Sequence, residues 1–125
     1  MVEEKSKNRI SAFFNGKQLL LTGATGIMCQ YIVYKLIKST KIAKIHVLIR
    51  DSRQKSASQR FEDFINYKIF DHLDRDDLRR RISLVPGDIK QPKFGIDDQL
   101  YKYIIDNVEL FIHGAANIAL NKRLR

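Results

Sequence analysis

Two glycines stand where a predicted strand turns into a predicted helix, in a segment of the sequence LLTGATGIMC. Gly23 permits the tight turn that ends the strand, and Gly26 lets a ligand approach the backbone closely. Free N–H groups and the helix dipole favour an anion at such a helix N-terminus. We therefore predict a site for the pyrophosphate of a dinucleotide, the alternative being a structural turn without a ligand. Its candidate residues are Thr22, Gly23, Thr25, Gly26 and Ile27.

The second predicted strand ends in VLIRD, which places Arg50 and Asp51 at its carboxyl end. An acidic residue there is typical of domains that bind NAD, because it accepts a hydrogen bond from the ribose 2′-hydroxyl, whereas an arginine suits the 2′-phosphate of NADP. Arg53 and Lys55 follow closely, so the sequence favours NADP (NADPH). Asp51 leaves NAD open, and an exposed loop arginine without a ligand is the structural alternative.

Two later segments would complete such a site. PGDI follows the third predicted strand, where Asp88 can accept a hydrogen bond from the adenine amino group and Ile89 can pack on the ring. The alternative is a turn aspartate that caps nearby N–H groups. HGAA follows the fourth predicted strand, and small residues such as Ala115 and Ala116 leave room at the sheet edge where these ligands bind.

Other reactive side chains fit structural roles better. Cys29 stands where these turns usually have a third small residue, so we expect it to pack against the sheet, although helix N-termini can lower a thiol pKa. Tyr31 and Lys35 have the Y-x-x-x-K spacing of short-chain dehydrogenases, but they lie on the first helix, at the pyrophosphate end of the site. We expect no metal site, because one cysteine accompanies three scattered histidines: His46, His72 and His113.

The candidate binding residues can form one site only if a sheet brings the ends of their strands together. The sequence alternates strand and helix patterns, as such a sheet requires. The pattern predicts an α/β, Rossmann-type, doubly wound parallel sheet that is incomplete, with about four strands. We assign residues 1–12 to an N-terminal extension and 13–125 to a partial NAD(P)-binding domain. The predicted strands are Lys17–Thr22, Lys44–Ile49, Ile82–Pro86 and Val108–Ile112. The predicted helices include Thr25–Ser39, one carrying Phe61, Phe64, Ile65 and Ile69, then Asp74–Arg81, Asp97–Asn107 and a last one from Asn117.

The inner face of the first helix has two candidates. One stripe runs through Ile27, Tyr31, Tyr34 and Ile37, and a neighbouring stripe runs through Met28, Ile32 and Leu36. Both have helical spacing, so the pattern leaves the choice open.

The composition and net charge limit the classes of partner that the chain could bind. The 125 residues carry a net charge of +9, which suits a phosphate-rich small molecule, an anionic surface or nucleic acid, or is simply the basic share of a larger protein. We expect no nucleic acid, because basic residues are not interleaved with aromatic ones. A single cysteine and the lack of a secretory signal predict a cytoplasmic setting.

Six segments in order resemble the N-terminal part of fatty acyl-CoA reductases, which are extended short-chain dehydrogenase-like enzymes. The resemblance extends from about Ser11 onward, and FFNGK and VLIR are its most specific parts. The segments are residues 13–17, 22–26, 44–50, 70–71, 85–88 and 111–116.

The resemblance implies reduction of a long-chain fatty acyl-CoA to a primary alcohol by two hydride transfers from NADPH. It implies that the family's catalytic Tyr and Lys lie beyond residue 125, so we expect no catalytic residue in this chain. Cys29 departs from the family's usual glycine. By the family pattern, the phosphates meet Gly23, Thr25, Gly26 and Arg50, the adenine meets Asp88 and Ile89, and the ribose meets Ala115 and Ala116.

Two other functions stay open: a non-catalytic or degenerate dinucleotide-binding module, and another extended short-chain dehydrogenase. The resemblance implies a location in the cytoplasm or on the cytosolic face of a peroxisome or the endoplasmic reticulum. No transmembrane segment is expected in these residues, although a longer form would be able to associate with a membrane.

Overall fold

Parallel pairing of four strands organises the chain in a computed structural model, which describes residues 12–23 and 26–113. The strand order is β3-β2-β1-β4, and all three neighbouring pairs are parallel. Strand β1 is therefore central, with a partner on each side. The strands are β1 (Gln18–Thr22), β2 (Lys44–Ile49), β3 (Ile82–Pro86) and β4 (Leu110–His113).

Side-chain caps define where most of the helices begin. A capping oxygen satisfies an N–H group that has no partner within the helix. Ser56, Asp74 and Asp97 each accept a hydrogen bond from the N–H three residues further on, at the start of α2, α3 and α4. The helices are α1 (Ile27–Ser39), α2 (Ala57–Ile65), α3 (Arg75–Arg81) and α4 (Asp98–Asn107), with 3₁₀ turns at Lys68–Phe70 and Pro92–Gly95.

Helices cover both faces of the sheet, so the strands are buried on two sides. On one face, Leu19 and Leu21 pack in a core with residues of α1, α2 and α3. On the other face, Leu20 packs with Val85 and with Ile104 of α4. Burial on both faces explains why β1 is a continuous apolar run. The prediction of a doubly wound α/β fold with about four parallel strands is confirmed.

The inner face predicted for α1 is wrong. Ile27 and Tyr31 of the first stripe are 74% and 51% exposed, and Met28 of the second is 64% exposed. The helix is apolar on nearly every side, so its periodicity does not select one face, and the contacts with the sheet and α2 make the selection. The buried residues are Cys29, Gln30, Val33, Leu36 and Ile37.

Smaller differences concern element ends. Strand β4 begins at Leu110 and not at Val108, because the Val108 N–H still bonds the Ile104 carbonyl and ends α4. Helix α2 ends at Ile65, so Ile69 lies in the following 3₁₀ turn. The helix predicted from Asn117 lies outside the described residues, and the division at residue 12 stays a prediction. None of the helices in the described ranges is long and apolar enough to cross a membrane.

Gly87 allows the loop after β3 to pack against the 3₁₀ turn. A Cβ atom at this position would lie 2.3 Å from the Phe94 carbonyl oxygen and 2.9 Å from Ile96 Cγ2. The first is a backbone atom and cannot rotate away. Gly87 is thus required by the protein's own packing.

We expect Gly87→Ala to lower the free energy of unfolding by about 1–3 kcal/mol, as overpacking does elsewhere. Thermal or urea unfolding measures the change. Gly26→Ala is the matched control, because its Cβ would meet only the Gly23 carbonyl, at 3.7 Å, and Gly26 has an ordinary extended backbone. Equal stability losses in the two variants would contradict this account.

A buried histidine lies between the sheet and α4. His46 Nε2 donates to Gln18 Oε1 at 2.8 Å, and the Tyr103 hydroxyl donates to the same oxygen at 3.2 Å. Desolvation, with a smaller effect from Lys44, lowers the pKa of His46 from 6.5 to about 4. The folded protein therefore holds His46 neutral where the unfolded chain would protonate it.

Because the folded pKa lies below the unfolded one, stability is retained above pH 6.5 and falls as the pH drops towards 4. We expect His46 to account for a loss of roughly 2 kcal/mol between about pH 7.5 and about pH 5. His46→Gln should flatten this slope in urea unfolding at both pH values. His72→Gln, at an exposed position, should leave it intact; an unchanged slope in the His46 variant would refute the assignment.

Candidate functional site

The carboxyl ends of the parallel strands meet at one edge of the sheet, and the described candidates gather there. Thr22, the last residue of β1, is aligned with Leu48 of β2 and with His113 of β4. Ile49, the last residue of β2, is aligned with Pro86 of β3. The glycine turn, Arg50, the loop after β3 and the end of β4 therefore share this edge, which is where open α/β sheets bind ligands.

The glycine turn leaves space in front of α1. Gly23 has a φ of +73°, in the left-handed region that favours glycine, and its carbonyl accepts from the Gly26 N–H at 3.3 Å. Gly26 has a φ of −79°, so no backbone constraint demands glycine there. Among the described residues, a Cβ at Gly26 would have only the Gly23 carbonyl within 4 Å, at 3.7 Å. In dinucleotide-binding turns, a glycine at this position lets the pyrophosphate approach the backbone. Thr25 lies outside the described residues.

The N-terminus of α1 has no side-chain cap. Gly26 is the N-cap, no side chain among the described residues bonds the free N–H groups, and the first turn holds no acidic residue. Ile27 and Met28 are among the most exposed apolar side chains in the described ranges. The other three multi-turn helices each have a Ser or Asp cap. These residues fit the pyrophosphate of a dinucleotide, which would accept from the N–H groups.

Cys29 is a packing residue one turn into α1. It is 2% exposed, and its thiol donates to the Thr22 carbonyl with an Sγ–O distance of 3.9 Å. Burial raises the pKa of the Cys29 thiol above its usual value. A raised pKa keeps the thiol protonated at neutral pH, which disfavours a nucleophilic role. The structure supports the prediction that Cys29 faces the sheet.

At the end of β2, the two charged residues have different environments. The Asp51 carboxylate accepts from the Ala57 N–H at 2.7 Å, which ties it to the first residue of α2. The Arg50 side chain is exposed, and its Nη1 makes a long 3.4 Å contact with the Asp51 carbonyl. Arg60 Nη1 donates to the Arg50 carbonyl at 2.7 Å. Asp51 thus has a structural role, and the Arg50 guanidinium lies at the surface of the ligand-binding edge.

The loop after β3 is a tight turn in which Asp88 takes part. Asp88 Oδ1 accepts from the Lys90 N–H at 2.9 Å, and the Asp88 N–H donates to the Phe94 carbonyl. The turn-capping alternative is therefore observed. Ile89 is 38% exposed, as an apolar surface for an adenine ring would be. Contacts of Asp88 and Ile89 with adenine stay a prediction.

Other candidates lie elsewhere or beyond the described ranges. Ala115 and Ala116 are outside them. Tyr31 is half exposed on α1, with Lys35 Nζ 5.6 Å from its ring centroid, on the outer side of the helix. Within residues 12–23 and 26–113, no group of three or more His, Cys, Asp or Glu side chains could hold a metal ion.

Sequence reasoning missed one contact at this edge, a hydrogen bond between Thr22 Oγ1 and His113 Nδ1. The two residues are the last aligned pair of β1 and β4. Their position at the ends of two predicted strands was the available signal, but pairing two strands 91 positions apart requires the fold.

A parallel α/β sheet with a glycine turn between its central strand and an uncapped helix defines the dinucleotide-binding, Rossmann-like class. The chain belongs to the male sterility protein family, NAD_binding_4, whose family model matches residues 21–125.

The relatives in this family are considerably longer than the chain. It is 32% identical over 119 residues to fatty acyl-CoA reductase 1 of Rattus norvegicus, covering 93% of this chain and 23% of that protein. It is 30% identical over 123 residues to fatty acyl-CoA reductase wat of Drosophila melanogaster, covering 97% and 24%. The chain thus spans about a quarter of these relatives. The resemblance to fatty acyl-CoA reductases is confirmed.

Solved reductase domains share the fold. The terminal R domain from the myxalamid PKS-NRPS biosynthetic pathway has a TM-score of 0.62 and 26% identity, covering 80% of this chain and 24% of that one. The PhqB reductase domain of Penicillium fellutanum has a TM-score of 0.61 and 26% identity, covering 90% and 32%. A nicotinamide dinucleotide is the cofactor that the family and these neighbours indicate.

We expect Gly26→Ala to abolish dinucleotide binding while leaving the midpoint of thermal unfolding nearly unchanged. The added methyl group fits the protein but occupies the space in front of α1. Nucleotide fluorescence measures binding. Gly87→Ala should instead lower the midpoint of thermal unfolding, because its Cβ would lie 2.3 Å from the Phe94 carbonyl oxygen. Wild-type affinity in the Gly26 variant would show that the pyrophosphate lies elsewhere.

Proposed function

We propose that this chain is the cofactor-binding part of an NADPH-dependent oxidoreductase that reduces a long-chain fatty acyl-CoA to a fatty alcohol. The observation that carries the proposal is the N-terminus of α1, where no described side chain caps the N–H groups and a Cβ at Gly26 would have only the Gly23 carbonyl within 4 Å among described atoms. The activity is taken from relatives that are fatty acyl-CoA reductases, of which this chain spans about a quarter.

Different described residues would bind different parts of the nucleotide. Gly23 and Gly26 shape the turn, and the first N–H groups of α1 donate to the pyrophosphate. Arg50 is placed for the adenosine ribose, and Asp88 with Ile89 for the adenine. When bound, NADPH supplies the hydride for each of two successive reductions. These residues therefore bind and orient the cofactor, and none of them is assigned a proton-transfer role.

The preference for NADPH rests on the end of β2. In domains that bind NAD, a carboxylate at this position accepts from the 2′-hydroxyl, whereas Asp51 Oδ1 accepts from the Ala57 N–H and so ties the carboxylate to the start of α2. A 2′-phosphate needs a guanidinium, and Arg50 is exposed at that edge. The net charge of +9 also favours the more anionic cofactor.

The proposed substrate is the one in the names of the relatives, which are fatty acyl-CoA reductases. A fatty acyl-CoA carries a phosphate-rich head and an apolar chain, and we place its reduction in the cytoplasm or on the cytosolic face of an organelle. No described residue is assigned to the acyl chain. Regions corresponding to the rest of the relatives' length would supply that site.

Titration of the purified chain with NADPH and with NADH, followed by nucleotide fluorescence, tests the proposal. Circular dichroism verifies that the sample is folded. Saturable binding that favours NADPH supports it. A folded chain that binds neither nucleotide would instead support a degenerate module.

We expect Arg50→Gln to weaken NADPH binding by roughly ten- to a hundredfold, the value of a charge-assisted hydrogen bond, and to leave NADH binding unchanged. Parallel titrations of the two cofactors measure the selective loss. Arg80→Gln, at an exposed arginine that pairs with Asp77 on α3, is the matched control.

Asp51→Ala distinguishes the two assignments at the end of β2. It should lower the midpoint of thermal unfolding, because the Ala57 N–H loses its acceptor. The ratio of NADPH to NADH affinity should remain that of the wild type. A selective loss of NADH binding would mean that Asp51 holds the ribose hydroxyl, against our interpretation.

A further inference from the structure

Thr22 is held from both faces of the sheet, at the point where β1 enters the glycine turn. From the α1 side, the Cys29 thiol donates to the Thr22 carbonyl. From the opposite face, His113 Nδ1 shares a hydrogen bond with the Thr22 hydroxyl. One residue thus receives a contact from the helix that follows the turn and another from the neighbouring strand β4.

The surroundings of this pair make the hydrogen bond specific. Thr22 is 2% exposed, so its hydroxyl depends on a protein partner. The His113 ring stacks on Phe111, with ring centroids 6.3 Å apart, which restricts its rotation. The pair is the last in the β1–β4 register among the described residues.

The orientation of Thr22 is transmitted directly to the turn. Gly23 follows it with a φ of +73°, and the Gly23 carbonyl accepts from the Gly26 N–H. A change in the direction of the Thr22 peptide would shift the Gly23 carbonyl and the Gly26 N–H that donates to it. Binding sites need such groups within a fraction of an ångström of their working geometry.

We propose that His113 is a positioning residue of the cofactor site, acting through the Thr22 hydroxyl. The pair holds the end of β1 where it leads into Gly23, and the Gly23 carbonyl in turn accepts from the Gly26 N–H at the start of α1, whose N–H groups would donate to the pyrophosphate. This inference rests on the proposed function for the identity of the ligand. It assigns a role in that site to a residue that touches no phosphate itself.

A double-mutant cycle tests the pair through the dissociation constant for NADPH. Thr22→Val keeps the shape and removes the hydroxyl, and His113→Leu removes the ring nitrogens. Each should weaken binding by roughly five- to tenfold, the effect of one hydrogen bond, and the double variant should be no weaker than either alone. Thr22→Ser and His113→Asn keep a hydrogen-bonding group and should restore most of the affinity.

A structural control separates positioning from stability. Thr40 makes a comparable pair of bonds at the other end of α1, where its hydroxyl donates to the Leu36 carbonyl at 2.7 Å and accepts from the Ile42 N–H. Thr40→Val should lower the unfolding midpoint without changing NADPH affinity. Unchanged affinity in the Thr22 and His113 variants, with lower stability alone, would overturn the inference.

Amide hydrogen exchange without nucleotide provides a second readout. Thr22→Val and His113→Leu should speed exchange at Gly26, while Thr40→Val should speed it only near residues 40–42. If the wild-type chain does not bind NADPH but the Thr22 and His113 variants still exchange faster at Gly26, the effect on the turn is supported and only the proposed function is overturned. Unchanged exchange together with additive losses of affinity would overturn the positioning role.

Discussion

Strand β1 is hydrogen-bonded to parallel strands on both sides, β2 on one and β4 on the other. Because parallel strands end at the same edge, this pairing brings the glycine turn, Arg50, the loop after β3 and His113 together from distant parts of the sequence. The side chains of β1 are buried on both faces, which favours the apolar residues Leu19, Leu20 and Leu21 at its centre. The position of the candidate site therefore depends on the same pairing that forms the core.

Two glycines at this edge serve different purposes. The space beside Gly87 is occupied by the Phe94 carbonyl and Ile96, so its missing side chain serves packing. Among the described residues, a Cβ at Gly26 would have only the Gly23 carbonyl within 4 Å, and no described side chain caps the helix N–H groups behind it. Only the second arrangement indicates a ligand. The distinction requires coordinates, since both glycines follow a strand in the sequence.

Much of the fold could be predicted because its signals are local. The apolar runs locate four strands to within two residues, and the helices predicted from Asp74 and Asp97 begin at residues whose side chains cap α3 and α4. The buried face of α1 was mispredicted because the helix is apolar on nearly all sides. The 3₁₀ turn at Pro92–Gly95 was not predicted. Its backbone has a positive φ at Lys93 and Phe94, two residue types that do not indicate a left-handed conformation in a sequence.

Part of the site could also be predicted, because some of its signals are local in the sequence. The glycine turn and Arg50 are recognisable from strand–turn–helix context. The capping role of Asp51 depends on where α2 begins, and the Thr22–His113 contact depends on the strand order.

The most direct test of the central claim maps the NADPH-binding site on the ¹⁵N-labelled chain by NMR chemical shifts. We predict perturbations at Gly23, Gly26 and Arg50, with none at Lys17 or Lys41, at the opposite edge. Perturbations centred on that opposite edge, or none in a folded chain, would contradict the account.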